Sequence, residues 1–247
     1  MSRQNTSHAV MAQRVEPGDS LDDFPTPPWA SRALIEHVIG PDNVRSLHCL
    51  EPACGRGHMA SVMAEYFACV SASDIAFYGY APPRDFLGYQ QDEQFDWIIT
   101  NPPFKLAEDF ALLALERARV GVALLVRTVF IESVGRLERI FSRFPPTYVA
   151  QFSERVPMVK GRLDKKASTA TGYAWIIWQK PLADHTRLVW IPQTRKALER
   201  DTDYIADFVR TGSPIRNTVA PSVDVGQGDL FVVGGNESDL RRGEAAS

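Results

Sequence analysis

The sequence predicts an α/β fold: a mainly parallel sheet with helices on both faces, closed by an antiparallel pair of strands. Three observations carry this. Short apolar runs at 46–50, 68–73, 95–100 and 120–126 have the length and composition of strands buried on both faces. Helix-like stretches such as 104–119 and 129–142 separate several of them, and repeated strand and helix give a parallel sheet. The later runs 147–152 and 172–180 are β-branched and aromatic with no helix between them, which predicts a closing hairpin at the edge of the sheet.

Taken in order, residues 1–22 are polar and aperiodic and read as a loosely ordered lead-in. A helix follows. Thr26 is placed to cap it, Pro27 and Pro28 suit its first turn, Trp29, Ala33, Leu34 and Val38 share a face, and Gly40 ends it. Residues 23–192 form the expected main domain. The pattern weakens after Pro181, and 193–247 are read as an extension, rich in Gly, Ser, Pro and Asp towards its end and poorly ordered in part. No internal repeat is present, which excludes a solenoid or propeller.

At 247 residues one domain is expected, as a monomer or homodimer. A formal net charge of −3 gives no global attraction to a polyanion, so any nucleic-acid contact needs a local basic surface. Cys49, Cys54 and Cys69 form no CxxC pair, so neither zinc nor any other metal is expected. The start lacks the apolar core of a signal peptide and no apolar run is long enough to span a bilayer, from which a cytoplasmic protein without membrane partners is expected.

Two constellations carry chemistry. In the first, Glu51-Pro52-Ala53-Cys54-Gly55-Arg56-Gly57 follows a strand and opens a helix, and Gly55 and Gly57 let backbone approach a ligand closely. Asp74 ends the next strand, 19 positions after Gly55, where a carboxylate can accept both hydroxyls of a ribose. Gly55, Gly57 and Ala60 also fit the dinucleotide pattern GxGxxG/A, so an NAD site competes here. Glu51 separates the two readings: its carboxylate repels a pyrophosphate and attracts the ammonium group of S-adenosylmethionine.

In the second, the strand pattern 95–100 runs straight into Asn101-Pro102-Pro103-Phe104. The prolines stop the strand and stiffen the backbone. An exocyclic amine conjugated with an aromatic ring is a poor nucleophile. If the Asn101 side-chain oxygen and the Pro102 carbonyl accept its two hydrogens, the nitrogen becomes more tetrahedral and its lone pair is freed for attack. Phe104 offers a face on which an extruded base can stack.

These residues together resemble the amino-methyltransferase family, above all the DNA adenine N6 methyltransferases, whose signature is Asn or Asp, Pro, Pro and an aromatic. The resemblance implies a Rossmann-like class I methyltransferase fold with a seven-stranded sheet and S-adenosyl-L-methionine as cofactor. Within it the segment from Glu51 to Gly57 resembles the methionine-binding loop and Asp74, with Ile75 beside it, the ribose-binding strand end. Asp85 and Phe86 resemble the adenine-binding element, and the segment 24–28 the N-terminal cofactor element, with Thr26 on the methionine carboxylate; Asn101 is expected to touch the cofactor as well as the acceptor. The implied reaction is methyl transfer to adenine N6 in DNA. Adenine in RNA, cytosine N4, a protein glutamine amide, or cofactor binding without catalysis stand as alternatives.

The connection between the hairpin strands is basic. Arg155, Lys160, Arg162, Lys165 and Lys166 are expected to track phosphates, with Phe152 or Pro157 against the flipped base, and Arg195 and Lys196 as further contacts. Only about 67 residues follow Lys180, too few and too weakly patterned for the large recognition domain that sequence-reading members carry.

Overall fold

The computed structural model describes residues 22–88 and 93–205, all within one compact unit. The expected lead-in, apart from Asp22, and the extension beyond 205 lie outside the described residues. Among the described residues, seven strands form one sheet: β1 (His48–Glu51), β2 (Cys69–Ala72), β3 (Phe95–Thr100), β4 (Ala118–Arg127), β5 (Tyr148–Phe152), β6 (Tyr173–Gln179) and β7 (Arg187–Ile191), in the order β2-β1-β3-β4-β6-β5-β7. The first four are mutually parallel, β6 runs antiparallel to both β4 and β5, and β7 is parallel to β5.

Two features depart from expectation. The antiparallel pair does not end the sheet, because β7 adds outside β5. Its run Leu188 to Ile191 is apolar, yet four of its five residues are not buried and Leu188 and Trp190 stand exposed, as on an edge strand. The stretch 129–142 is not one helix either: a 3₁₀ turn at Thr128–Ile131 precedes a short helix, Val134–Arg136, which passes into a π turn at Leu137–Phe141.

Side chains alternate across the sheet and feed a core on each face. In β6, Trp175 and Ile177 pack with α1 (Pro28–Leu34) and α2 (His58–Met63), whereas Ile176 and Trp178 pack with α3 (Ala107–Arg117). The indole N–H groups of the two β6 tryptophans each find a carbonyl, Trp175 on Ala30 at 3.2 Å and Trp178 on Phe144 at 2.8 Å.

Helix α1 corrects the capping assignment. Its N-cap is Pro27, with no side-chain cap, and Thr26 lies buried just before it. As expected, the chain leaves the helical region at Gly40, whose φ of 91° suits a residue without Cβ. The helix is buried all round rather than on one face. Its second face carries Arg32, 1% exposed, which donates to Glu65, to both oxygens of Asp203 and to the Leu198 carbonyl. Arg32 thus anchors residues 195–204 to the main domain, helped by ion pairs of Arg200 with Glu65 at 3.0 Å and Asp201 with Lys165 at 2.6 Å.

Candidate cofactor and acceptor site

The carboxyl ends of β1, β2 and β3 meet at one edge, and a cavity of about 410 Å³ opens there. Its walls come from segment 22–26, Glu51 to Arg56, Asp74 and Ile75, Asp85 to Leu87, Asn101 and Pro103, with His58, Tyr78 and Lys105. The strand ends of an open parallel sheet are where ligands bind.

The glycine turn is braced by the next strand end. Asp74 accepts the Gly55 N–H at 2.8 Å through one oxygen and the Ala76 N–H at 3.0 Å through the other. Gly57 has a φ of 81° and opens α2. It does not line the cavity; its lack of a side chain admits the Tyr80 ring, whose atoms would sit 2.4 Å from an added Cβ. Gly55, φ 50°, would carry its Cβ into open space. Gly57→Ala is accordingly expected to destabilise the fold by at least about 2 kcal/mol and Gly55→Ala by about 1 kcal/mol, read from urea unfolding. Equal losses would contradict this division of roles.

Glu51, the last residue of β1, is 2% exposed, and its Oε2 has no hydrogen-bond partner. Burial pushes its carboxyl well above the usual range; a hydrogen bond from the Ala60 backbone opposes this and the Asp74 charge adds to it. A buried, half-satisfied carboxyl is costly unless a donor or a cation completes it. Burial, with help from Arg56, pushes His58 down to about 4, so it is neutral at pH 7.

Asn101 follows β3 directly. Its amide nitrogen donates to the Phe24 carbonyl at 2.9 Å and lies 3.7 Å from the Met158 sulfur, which fixes the orientation of the amide. The Oδ1 atom is left buried without a partner. Segment 22–24 ties the walls together: Asp22 accepts the Phe104 N–H at 2.9 Å, the Asp23 carboxylate pairs with Arg56 at 2.8 Å, and the Asp23 carbonyl accepts from Gly161 at 2.8 Å. Asp22, Asp23, Tyr78 and Met158 have no motif that marks them in the sequence. Their roles arise from loops that converge only in the fold.

Of the sequence-predicted residues, Thr26, Glu51, Pro52, Ala53, Gly55, Asp74, Ile75, Asp85, Phe86, Asn101 and Pro103 line this one cavity, and Pro102 and Phe104 stand beside it without lining it. Phe86 packs on Phe110 at 5.0 Å. The Phe104 ring is not open: Phe24 lies 5.5 Å away, and the Arg127 guanidinium sits 3.8 Å over its centre. Phe152 is corrected outright. It is 4% exposed, in β5, edge-on to Trp29 at 5.7 Å, so the inward pleat position places it in the core rather than against an acceptor. Pro157 is buried too. Arg155, Arg162, Lys165 and Lys166 are exposed and Lys160 partly so; Arg162 pairs with Asp164 at 3.3 Å and Lys165 with Asp201 at 2.6 Å.

No family model and no curated protein matches the chain. Among solved structures, a Pyrococcus horikoshii protein described as an RNA methyltransferase superposes with a TM-score of 0.52 at 17% identity, over 67% of this chain and 90% of that one. A Vibrio vulnificus YJ016 protein described as a modification subunit of a type I restriction enzyme gives 0.51 at 16%, over 78% of this chain. The fold is the Rossmann-like methyltransferase fold. The chain spans about half, 52%, of that modification subunit. Within this fold the cavity occupies the position at the strand ends that the glycine turn and the Asn-Pro-Pro-Phe segment share. No described helix is long and apolar enough to cross a membrane.

Proposed function

We propose that the protein is an S-adenosylmethionine-dependent methyltransferase acting on an exocyclic amine, with adenine N6 in DNA as its target. The observation that carries this is a pair of buried acceptors without partners, Glu51 Oε2 and Asn101 Oδ1, on residues that line one cavity. Their chemistry fits a cationic donor and an NH₂ acceptor.

The charge of the walls separates this reading from a dinucleotide site. Five carboxyl groups line the cavity, Asp22, Asp23, Glu51, Asp74 and Asp85, against two basic residues, Arg56 and Lys105, so acid groups outnumber bases even with Glu51 protonated. Such walls disfavour a pyrophosphate and favour an ammonium and a sulfonium. Glu51 would hold the ammonium, Asp74 the ribose hydroxyls, and Asp85 with Phe86 the adenine. The bound cofactor supplies an electrophilic methyl group. Asn101, its amide nitrogen held by the Phe24 carbonyl, presents an oxygen that can only accept, so an amine with hydrogens to donate is oriented and its lone pair released. The exposed basic residues of 155–166 support a nucleic-acid acceptor.

Calorimetry should show binding of S-adenosylhomocysteine and none of NAD. Incubation with methyl-labelled cofactor and separate DNA, RNA and protein pools should place label in DNA. Label only in RNA or protein would overturn the choice of DNA. Label in no pool would overturn the enzyme.

Glu51 also predicts a pH dependence. Because its carboxyl is raised in the folded chain, the unfolded chain loses its proton first, near the usual value of about 4.3. Stability contributed by Glu51 is therefore complete below that pH and is lost as pH rises towards the folded value. A bound ammonium favours the ionised form, so binding should expel a proton and tighten with pH across the same window. Glu51→Gln is expected to stabilise the free protein at pH 7, weaken S-adenosylmethionine by about tenfold or more, and abolish the buffer dependence of the binding heat. Unchanged affinity would show that the cation sits elsewhere.

A further inference from the structure

Arg127 is the last residue of β4, which runs three residues beyond the level at which Thr100 of β3 pairs with Leu124. That overhang brings it to the Asn101–Phe104 segment. Its guanidinium carbon stands over Phe104, 3.8 Å from the ring centre, with the Phe24 ring tilted at 41° to Phe104 nearby. Arg127 also hydrogen-bonds the side chain of Tyr173, its cross-strand partner on β6, yet remains exposed. Arg155 belongs to the same rim: a Cβ on Gly172 would meet its Nη1 at 3.2 Å and Thr128 Oγ1 at 3.0 Å.

A guanidinium is planar, stacks on aromatic faces and binds phosphate through two parallel donors. On Phe104 it covers the surface that a planar acceptor ring needs, and it does so from an exposed position beside a second arginine. We propose that Arg127 is a positioning residue that exchanges between two partners. In the free protein it occupies the Phe104 face; when an acceptor nucleotide of a nucleic-acid strand stacks there, the guanidinium leaves the ring and takes the phosphate beside that nucleotide. This rests on the methyltransferase reading above. It adds that the acceptor face is closed by a residue which the acceptor's own backbone draws away.

The test compares acceptors that differ only in phosphate, deoxyadenosine and an adenine-containing oligonucleotide, in the wild type, Arg127→Ala and Arg127→Lys. Arg127→Ala removes a competitor from the ring and a contact from the strand. KM for deoxyadenosine should fall about two- to fivefold, since one cation–π contact is lost. KM for the oligonucleotide should rise about tenfold, and the slope of log KM against log salt should lessen by about one. Arg127→Lys should keep the salt slope near wild type, since the charge remains, with an oligonucleotide KM between wild type and Arg127→Ala. KM moving the same way for both acceptors, or an unchanged salt slope in Arg127→Ala, would overturn the proposal; the salt slope alone decides where the nucleoside is turned over too slowly to measure. A wild-type protein that methylates neither acceptor removes the underlying reading, an outcome distinct from an active wild type whose variant fails these shifts.

Discussion

Asn101→Ala should lower the rate of methyl transfer by about 10²–10³-fold, the cost of deleting one pre-oriented group from a polar catalytic cup. Binding of S-adenosylhomocysteine should change little, because the ammonium, ribose and adenine partners proposed here are other residues. Asn101→Asp makes the comparison informative. It keeps an acceptor but replaces the donor that faces the Phe24 carbonyl with a second oxygen, so the side chain loses the bond that orients it. Its activity should fall between wild type and alanine. If alanine transferred methyl groups at the wild-type rate, Asn101 would be a structural residue of the β3 terminus, and the acceptor cup proposed here would be wrong.

The largest effect on stability should come from Arg32. The side chains of Arg32 and Asp203 are 1% and 0% exposed, and Glu65 and the Leu198 carbonyl complete the guanidinium's partners. Hydrogen bonds and opposite charges on Asp203 and Glu65 overcome burial and hold the guanidinium above its usual value. Removing the cation strands Asp203 in the interior, and breaking a buried pair in this way costs about 3–5 kcal/mol. Arg32→Met should therefore unfold at markedly lower denaturant, whereas Arg32→Met with Asp203→Leu should recover much of the loss because no lone charge remains. A single variant within about 0.5 kcal/mol of wild type would mean that 195–204 does not depend on this arginine.

The contrast between Glu51 and Phe152 shows what a sequence of this kind discloses. Glu51, Gly55, Asp74, Asn101 and Pro103 were legible because strand ends and glycine or proline turns fix backbone locally, and local backbone decides where such side chains stand. They converge on one cavity because parallel strands share an edge. Phe152 and Arg127 were not legible in the same way. Whether an aromatic near a strand end faces core or ligand depends on pleat parity, and that parity is set by pairing with β6 and β7 rather than by the residue's own neighbours. Arg127 reaches Phe104 only because β4 is longer than β3. Strand β7 differs: its run Leu188 to Ile191 is apolar, but the weak pattern after Pro181 gives it no neighbour to pair with, and only the fold sets it beside β5.

Segment 22–24 makes the same point about loops. Asp22, Asp23 and the Phe24 carbonyl hold the Asn101–Phe104 segment and the glycine turn, yet nothing in the sequence marks the two aspartates or gives the Phe24 carbonyl this role. Their function is a product of tertiary closure.

The account stands on an acceptor atom that carries hydrogens and is presented to Asn101 Oδ1. Mass spectrometry of nucleosides released from DNA after incubation with methyl-labelled S-adenosylmethionine locates the transferred group directly. The label is expected on the exocyclic nitrogen, as N6-methyladenine. A label on a ring nitrogen or a ring carbon would contradict the account, because neither has an amine hydrogen for Asn101 to accept.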